Sequence, residues 1–138
     1  MQLRQGDLFW GMEIDFVRQV TEQTQHISCK EGDSLFKVGD PAGFFYILLK
    51  GSVTMERGKG KWYTAKQPGE LFGWSALIHR KEFAASAFCD MDSELLKIER
   101  DPFLQLLESS PKDKAVLYEQ LAKMIGNQLL DVYINTAS

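Results

Sequence analysis

Residues 32–53 read GDSLFKVGDPAGFFYILLKGSV, and this stretch decides the fold. It holds two runs, residues 34–38 and residues 44–50, and each run is followed directly by a glycine. Short runs rich in aromatic and branched side chains, bounded by Gly, Asp and Pro, are typical of β-strands. The stretch therefore predicts two short strands that end in tight turns.

The same pattern continues on both sides of this stretch. Further strands are predicted at residues 26–30, 52–57, 61–66, 83–88 and 93–98, with residues 58–60 as a hairpin tip. One segment, residues 72–78, departs from the alternation and has room for one or two helical turns after Gly73. About eight short strands with regular turn signals predict a sandwich or barrel.

Helical spacing appears at both ends of the chain. Apolar residues recur every three or four positions between residues 7 and 25, which predicts an N-terminal helix, either continuous or broken near Gly11. Asp101 and Pro102 predict the cap and first position of a helix that runs to Ser109, and Pro111 opens a longer one to about Ile134. The chain reads as one domain over residues 1–138, with an N-terminal helix at 7–25, a β-roll at 26–99 and C-terminal helices at 101–134.

Composition and charge exclude several functions. The 138 residues carry a net charge of −3, which argues against binding of nucleic acid by this chain alone. The longest apolar run, residues 44–49, is far below the ~20 residues that span a bilayer. With no signal-peptide pattern at the N-terminus, these features predict a cytoplasmic protein without membrane contact.

The cysteines and histidines do not form a metal-binding pattern. Cys29 and Cys89 are sixty positions apart, and His26 and His79 lack neighbouring ligand residues. We therefore expect two buried thiols and no metal.

Two groups of motifs resemble the cyclic-nucleotide-binding domain, in particular the effector domain of CRP/FNR-type transcription regulators. The first group comprises Gly32-Asp33-Ser34-Leu35, Gly39-Asp40, residues 44–48 and Gly51-Ser52-Val53, and the second comprises Phe72-Gly73, Ala76-Leu77 and Ala84-Ala85-Ser86. The resemblance implies a mainly β fold with flanking helices. It is a double-stranded β-helix, a jelly-roll or cupin-like β-roll, with a short helix in the phosphate-binding cassette.

The resemblance also implies where a ligand would bind. The predicted ligand-binding residues are Phe72, Gly73, Trp74, Ser75, Ala76, Leu77, Arg80, Phe83, Ala84, Ala85 and Ser86. In the family, a glutamate after the cassette glycine holds the ribose and an arginine nine residues later holds the phosphate. Trp74 and Phe83 stand at these two positions.

The two replacements disfavour cAMP and cGMP, and no cofactor is expected. Glu70 lies four residues before the glutamate position and should point elsewhere, whereas Arg80 and Lys81 are the cations that could turn toward the pocket. Two readings of the pocket remain open. Either the rings bind a small planar or weakly anionic effector, or they close the pocket as part of the core.

The long final helix has more apolar residues than one buried face requires. Leu117, Leu121 and Met124 are expected to cover the roll, which leaves Tyr118, Ile125, Leu129 and Val132 for a second surface. This surplus predicts a homodimer through the C-terminal helix.

Two functions are compatible with these features. The first is the effector and dimerisation module of a CRP/FNR-type transcription regulator with weak or altered ligand specificity, and a helix-turn-helix pattern beyond Ser138 would favour it. The second is a stand-alone protein-interaction module of the same fold without a small-molecule ligand. A metal-dependent enzyme of the cupin type would need clustered His and Glu, so no enzyme is expected.

Overall fold

A computed structural model describes residues 9–58 and 60–137. Its helices are α1 (Ile14–Glu22), α2 (Arg100–Glu108) and α3 (Pro111–Ala137), and a 3₁₀ helix at Trp74–Leu77 is named here the cassette helix. The strands are β1 (Thr24–Cys29), β2 (Ser34–Phe36), β3 (Phe44–Lys50), β4 (Val53–Arg57), β5 (Gly60–Ala65), β6 (Leu71–Phe72), β7 (Ser86–Cys89) and β8 (Ser93–Glu99).

The strands form two four-stranded antiparallel sheets. Their orders are β1-β8-β3-β6 and β2-β7-β4-β5, so neighbours in space are mostly distant in sequence. This is the mainly β roll with a helix at each end that the sequence predicts, and the fold class is confirmed. The cassette helix follows β6 directly and therefore lies where one sheet ends.

The core fills the space between the two sheets and continues under the helices. Strand β3 is buried at four successive positions, residues 45–48, because helices and the second sheet cover both of its faces. Phe103 and Leu107 of α2 and Leu117 of α3 are fully buried against the roll. The helices are thus held by apolar burial, worth about 1.5–3 kcal/mol for each large side chain.

Two predicted helix starts are wrong. Helix α1 begins at Ile14, and of the earlier predicted helical residues 9–12 form a turn while 7 and 8 lie outside the described residues. Helix α2 begins at Arg100 without a side-chain cap, and Asp101 instead accepts a hydrogen bond from Arg100 Nε at 2.9 Å. The reason is that β8 pairs with β3 as far as Glu99, so the helix starts where the strand stops.

The strand predicted at residues 83–88 begins later, at Ser86. Phe83 makes its backbone hydrogen bonds to the turn after β2: its N–H donates to Asp40 O at 2.9 Å, and its carbonyl accepts from Gly39 N at 3.0 Å. Phe83 is therefore placed by a loop-to-loop contact between residues more than forty positions apart, which local alternation does not reveal.

The prediction of two separate thiols is also wrong, because Cys29 and Cys89 are joined by a disulfide. The turn after β1 lies against the end of β7. Gly32 N–H donates to Cys89 O at 2.8 Å, and Cys89 N–H donates to Asp33 O at 2.9 Å. These contacts bring together two cysteines whose separation in sequence gave no sign of proximity.

The start of α3 is anchored by a buried carboxylate. Asp113 is 2% exposed and accepts hydrogen bonds from Ser110 Oγ at 2.5 Å and from the backbone N–H of Glu13 at 3.0 Å. The first contact links the residue before α3 to its first turn, and the second ties α3 to the residue before α1. Helix α3 is thereby directed across the cassette.

Candidate functional site

Gly73 forms the entry to the cassette helix. Its φ of +78° lies in the left-handed region that glycine adopts freely. A Cβ at this position would lie 3.5 Å from Phe36 Cε2, from Phe45 Cα and from Phe83 Cε1. The glycine therefore allows the backbone to turn close to the aromatic floor of the site.

Phe83, at the position of the family's phosphate arginine, lies inside a stack of rings. Its centroid is 3.9 Å from that of Phe36, with the planes 17° apart, and 5.3 Å from that of Phe44. Tyr46 extends this cluster by stacking on Phe72 at 5.1 Å. Phe83 is 2% exposed, so a group that would be ionic in the family is here part of an apolar wall.

Trp74, at the position of the ribose glutamate, connects the cassette to α3. Its indole Nε1 donates to Gln128 Oε1 at 3.2 Å, and Gln128 Nε2 donates to the carbonyl of Leu71 at 3.2 Å. The amide of Gln128 is buried and both of its ends are used. A second contact runs from Tyr118 Oη, which donates to Leu77 O at 3.0 Å. Helix α3 is thus tied to both ends of the cassette helix.

The cavity beside these rings has a volume of about 80 Å³. Seven of the residues predicted from the sequence line it: Phe72, Gly73, Trp74, Ser75, Phe83, Ala84 and Ala85. Pockets for drug-sized ligands measure roughly 300–1,000 Å³. The rings therefore leave room for a few ligand atoms, and a whole nucleotide would need them to move.

The remaining predicted residues lie around this cavity without lining it. Ala76 and Leu77 belong to the cassette helix and are buried. Ser86 Oγ accepts a hydrogen bond from Val38 N–H at 2.9 Å. Arg80 is exposed, and its backbone N–H donates to Ser75 O at 3.3 Å.

Glu70 also lies away from the cavity, as expected from its position before Gly73. Its carboxylate accepts from the hydroxyl of Tyr63 and from the backbone N–H groups of Lys66 and Gln67. Burial, and then the hydrogen bond to Glu70, raise the pKa of Tyr63. The Glu70 carboxylate therefore closes the turn after β5.

Four further residues line the cavity that the sequence did not single out for this site, namely Phe36, Met55, Arg57 and Trp62. A bulge in the β4–β5 hairpin explains the positions of Arg57 and Trp62. Met55 pairs with Tyr63 but Glu56 pairs with Lys61, so Trp62 is the extra residue on β5. Bulges redirect side chains, and the ring of Trp62 lies 6.3 Å from that of Trp74. Arg57 stands two residues after Met55 on the same face of β4.

Signals for these residues in the sequence are weak. Gln128 is a polar residue in the buried stripe that contains Leu117 and Leu121, and such a position indicates a specific hydrogen bond. Nothing local marks Arg57, because its place at the cavity depends on the register of the hairpin.

Tyr46 provides a test of how tightly this aromatic cluster is buried. Burial raises its pKa to about 12, against an ordinary value of 10.0. Between these two values the native phenol keeps its proton while the unfolded phenol loses it. Stability from Tyr46 is therefore complete below pH ~10 and should fall by about 1.4 kcal/mol per pH unit above it. Urea unfolding at a series of alkaline pH values measures this loss.

The matched variant is Tyr46→Phe, which removes the titrating group and keeps the ring. Its stability should fall less steeply above pH ~10 than that of the native chain, with Tyr63 still contributing in the same direction. Identical pH dependence of the two proteins would show that Tyr46 is not buried as described.

In the described part of the chain, no group of three or more His, Cys, Asp or Glu side chains is arranged to hold a metal ion. Within the same residues, no helix combines the length and apolar character needed to cross a membrane.

Comparison with known proteins identifies the family. The model of the cyclic nucleotide-binding domain matches residues 26–110, and the chain belongs to that family, with a domain of the CRP/FNR type. The cyclic AMP receptor protein of Thermus thermophilus is 28% identical over 131 residues, which are 92% of this chain and 59% of that protein. The resemblance drawn from the motifs is confirmed.

Solved structures agree with this fold. A cyclic nucleotide-binding domain from Methylobacillus flagellatus has a TM-score of 0.79 at 20% identity, covering 92% of this chain and 74% of that chain. The c-di-GMP responsive global regulator CLP of Xanthomonas campestris has a TM-score of 0.75 at 20% identity, covering 91% and 63%.

The matched curated proteins are longer than this chain, which spans 59% of the Thermus thermophilus receptor and 31% of a kinase regulatory subunit from Yarrowia lipolytica. They are transcription regulators and regulatory subunits of cAMP-dependent protein kinase. The chain is thus a cyclic-nucleotide-binding-type regulatory domain related to CRP-type transcription regulators.

Proposed function

We propose that this chain is the non-catalytic effector and dimerisation module of a CRP/FNR-type transcription regulator whose cassette does not bind cAMP or cGMP tightly. The observation that carries the proposal is the replacement of both ionic groups of the cassette by rings. Trp74 and Phe83 close the site to about 80 Å³. Under this proposal the module responds to a small planar or weakly anionic effector and does not bind nucleic acid by itself.

The loss of charge is large enough to matter for nucleotide affinity. A hydrogen bond to a charged group contributes about 1.5–3 kcal/mol, and each 1.4 kcal/mol changes affinity tenfold. A phosphate in this cavity would meet Phe83, whose ring has no donor, and a ribose would meet the Trp74 ring, whose Nε1–H is already bonded to Gln128. Both missing contacts weaken a cyclic nucleotide.

The second part of the proposal concerns α3. Four apolar residues near its end point into solvent, each more than half exposed: Leu129, Leu130, Tyr133 and Ile134. Gly126 and Ala122 precede Leu130 on the same stripe, one and two turns earlier, and a Cβ at Gly126 would meet nothing within 4 Å. Small residues followed by large apolar ones form a surface on which a second helix packs closely, and we propose that a second copy of the chain covers it.

The residues first assigned to this surface are only partly correct. Tyr118 and Ile125 pack against the core, and Val132 is half-buried beside β5, so of that group Leu129 alone is exposed. The physical reason is that the middle of α3 lies over the cassette. The helix face that contains Tyr118 and Ile125 therefore packs against the core.

A Leu130→Glu plus Tyr133→Glu variant tests the dimer. Two carboxylates on the apolar stripe should raise the dimer dissociation constant at least tenfold, since each buried apolar side chain is worth more than about 1 kcal/mol. Sedimentation velocity over a range of concentrations measures this change.

The matched control is Val38→Glu plus Met91→Glu, which places the same charges on two exposed apolar residues outside α3. It should leave association unchanged. A native chain that remains monomeric at every accessible concentration would overturn the dimer, and would favour the alternative of a stand-alone module that binds a different protein through this face.

A further inference from the structure

We propose that the cavity binds a small planar carboxylate, with its apolar body against the rings of Trp62 and Trp74 and its carboxylate on Arg57. This inference rests on the proposed function and names the ligand class of that site. It starts from the composition of the cavity wall, which combines large rings with one basic side chain.

Arg57 is the charged residue of this wall. Arg57 is exposed, and its guanidinium has no hydrogen-bond or ion-pair partner among the described residues. None of the described Asp or Glu residues lines the cavity, and Glu56 points to the opposite face of β4. The guanidinium is therefore free to form a forked pair with a carboxylate, for which its planar geometry is suited.

The walls set the shape of the rest of the ligand. The rings of Trp62 and Trp74 lie beside each other, with centroids 6.3 Å apart and planes inclined by 57°, so a ligand packs against them and not between them. Phe72 and Phe83 also line the cavity, and both are almost fully buried. A flat apolar group can lie against such rings, whereas a sugar would leave its hydroxyl groups without partners.

The number of available hydrogen-bond donors favours a carboxylate over a phosphate. One guanidinium can satisfy both oxygens of a carboxylate, but a phosphate has further oxygens that would need additional donors. Among residues 9–58 and 60–137 the wall contains no second cation, and Arg80 lies outside it. With a cavity of about 80 Å³, the ligand is also small.

The test uses benzoate as the probe and benzamide as its neutral counterpart of the same shape. Binding to the native chain is followed by tryptophan fluorescence and by ligand-observed NMR. Benzoate should bind with a dissociation constant in the millimolar range or below, and benzamide should bind at least tenfold more weakly. Trp74→Ala should weaken both compounds, because it removes one wall of the cavity.

Two charge variants assign the effect to Arg57. Arg57→Gln should weaken benzoate at least tenfold and abolish the preference over benzamide. Lys61→Gln removes a neighbouring cation that does not line the cavity, and it should leave benzoate binding unchanged. Equal effects of the two variants, equal binding of benzoate and benzamide, or no saturable binding of benzoate would each overturn the inference.

Sedimentation of the same samples separates this inference from the proposed function. A chain that dimerises but does not bind benzoate overturns the carboxylate site alone. A chain that binds benzoate through Arg57 but stays monomeric supports the site and overturns the proposed dimerisation.

Discussion

A Gly51→Ala variant should lose about 3–4 kcal/mol of unfolding free energy, because two costs add at this position. The φ of Gly51 is +116°, a conformation that strains an L-residue by about 1–3 kcal/mol. An added Cβ would also lie 2.8 Å from Ser93 Cα and 2.6 Å from Ser93 Cβ, and overpacking of this kind costs about 1–3 kcal/mol. Urea denaturation of the two proteins measures the difference.

Variants at two other glycines distinguish the cost of the backbone conformation from the cost of steric overlap. Gly32 has a φ of +89° but open space around its Cβ position, so Gly32→Ala should show the backbone cost alone. Gly43 has neither a positive φ nor a close neighbour, and Gly43→Ala should be close to neutral. If Gly51→Ala were no more destabilising than Gly32→Ala, the close approach to Ser93 would not be a real constraint.

Restoring the two ionic groups of the cassette should increase affinity for cAMP at least about a hundredfold over the native chain. The variant is Trp74→Glu with Phe83→Arg. The arginine supplies a forked partner for the phosphate and the carboxylate a partner for the ribose. Removal of two rings also enlarges the cavity beyond its present volume of about 80 Å³. Calorimetric titration with cAMP measures both proteins.

The control for this pair is Trp74→Leu with Phe83→Leu, which enlarges the cavity without adding charge. It should gain little affinity, because the phosphate would still lack a partner. Binding of cAMP by the native chain in the low micromolar range or below would contradict the reading of the cassette, and it would show that another group, such as Arg57, holds the phosphate.

The elements that the sequence predicted well are those governed by nearby residues. Strands β3 and β4 follow from apolar runs and alternation, and their turns follow from Gly39, Gly51 and Gly58, which all adopt positive φ. The length of α3 follows from Pro111 and the apolar spacing after it. Each of these features depends on interactions within a few residues, so the local pattern is sufficient to predict it.

The proximity of several predicted site residues has the same explanation, while their role in ligand binding stays a prediction. Seven of the residues proposed for it are contiguous with Gly73 or Phe83, and the cassette backbone brings them to one cavity. The absence of the two ionic groups was also visible, since it depends only on which residues stand at positions 74 and 83.

The sequence by itself determined the class of fold, and it placed Trp74 and Phe83 where the resemblance implies two ionic groups. The tertiary structure decided that Cys29 meets Cys89, that Gln128 holds Trp74, and that Arg57 and Trp62 complete the cavity. Each of these contacts depends on strands or helices that become neighbours only when the roll is folded. Strand order and register set such contacts, and a single bulge in the β4–β5 hairpin is enough to turn a side chain from solvent to the site.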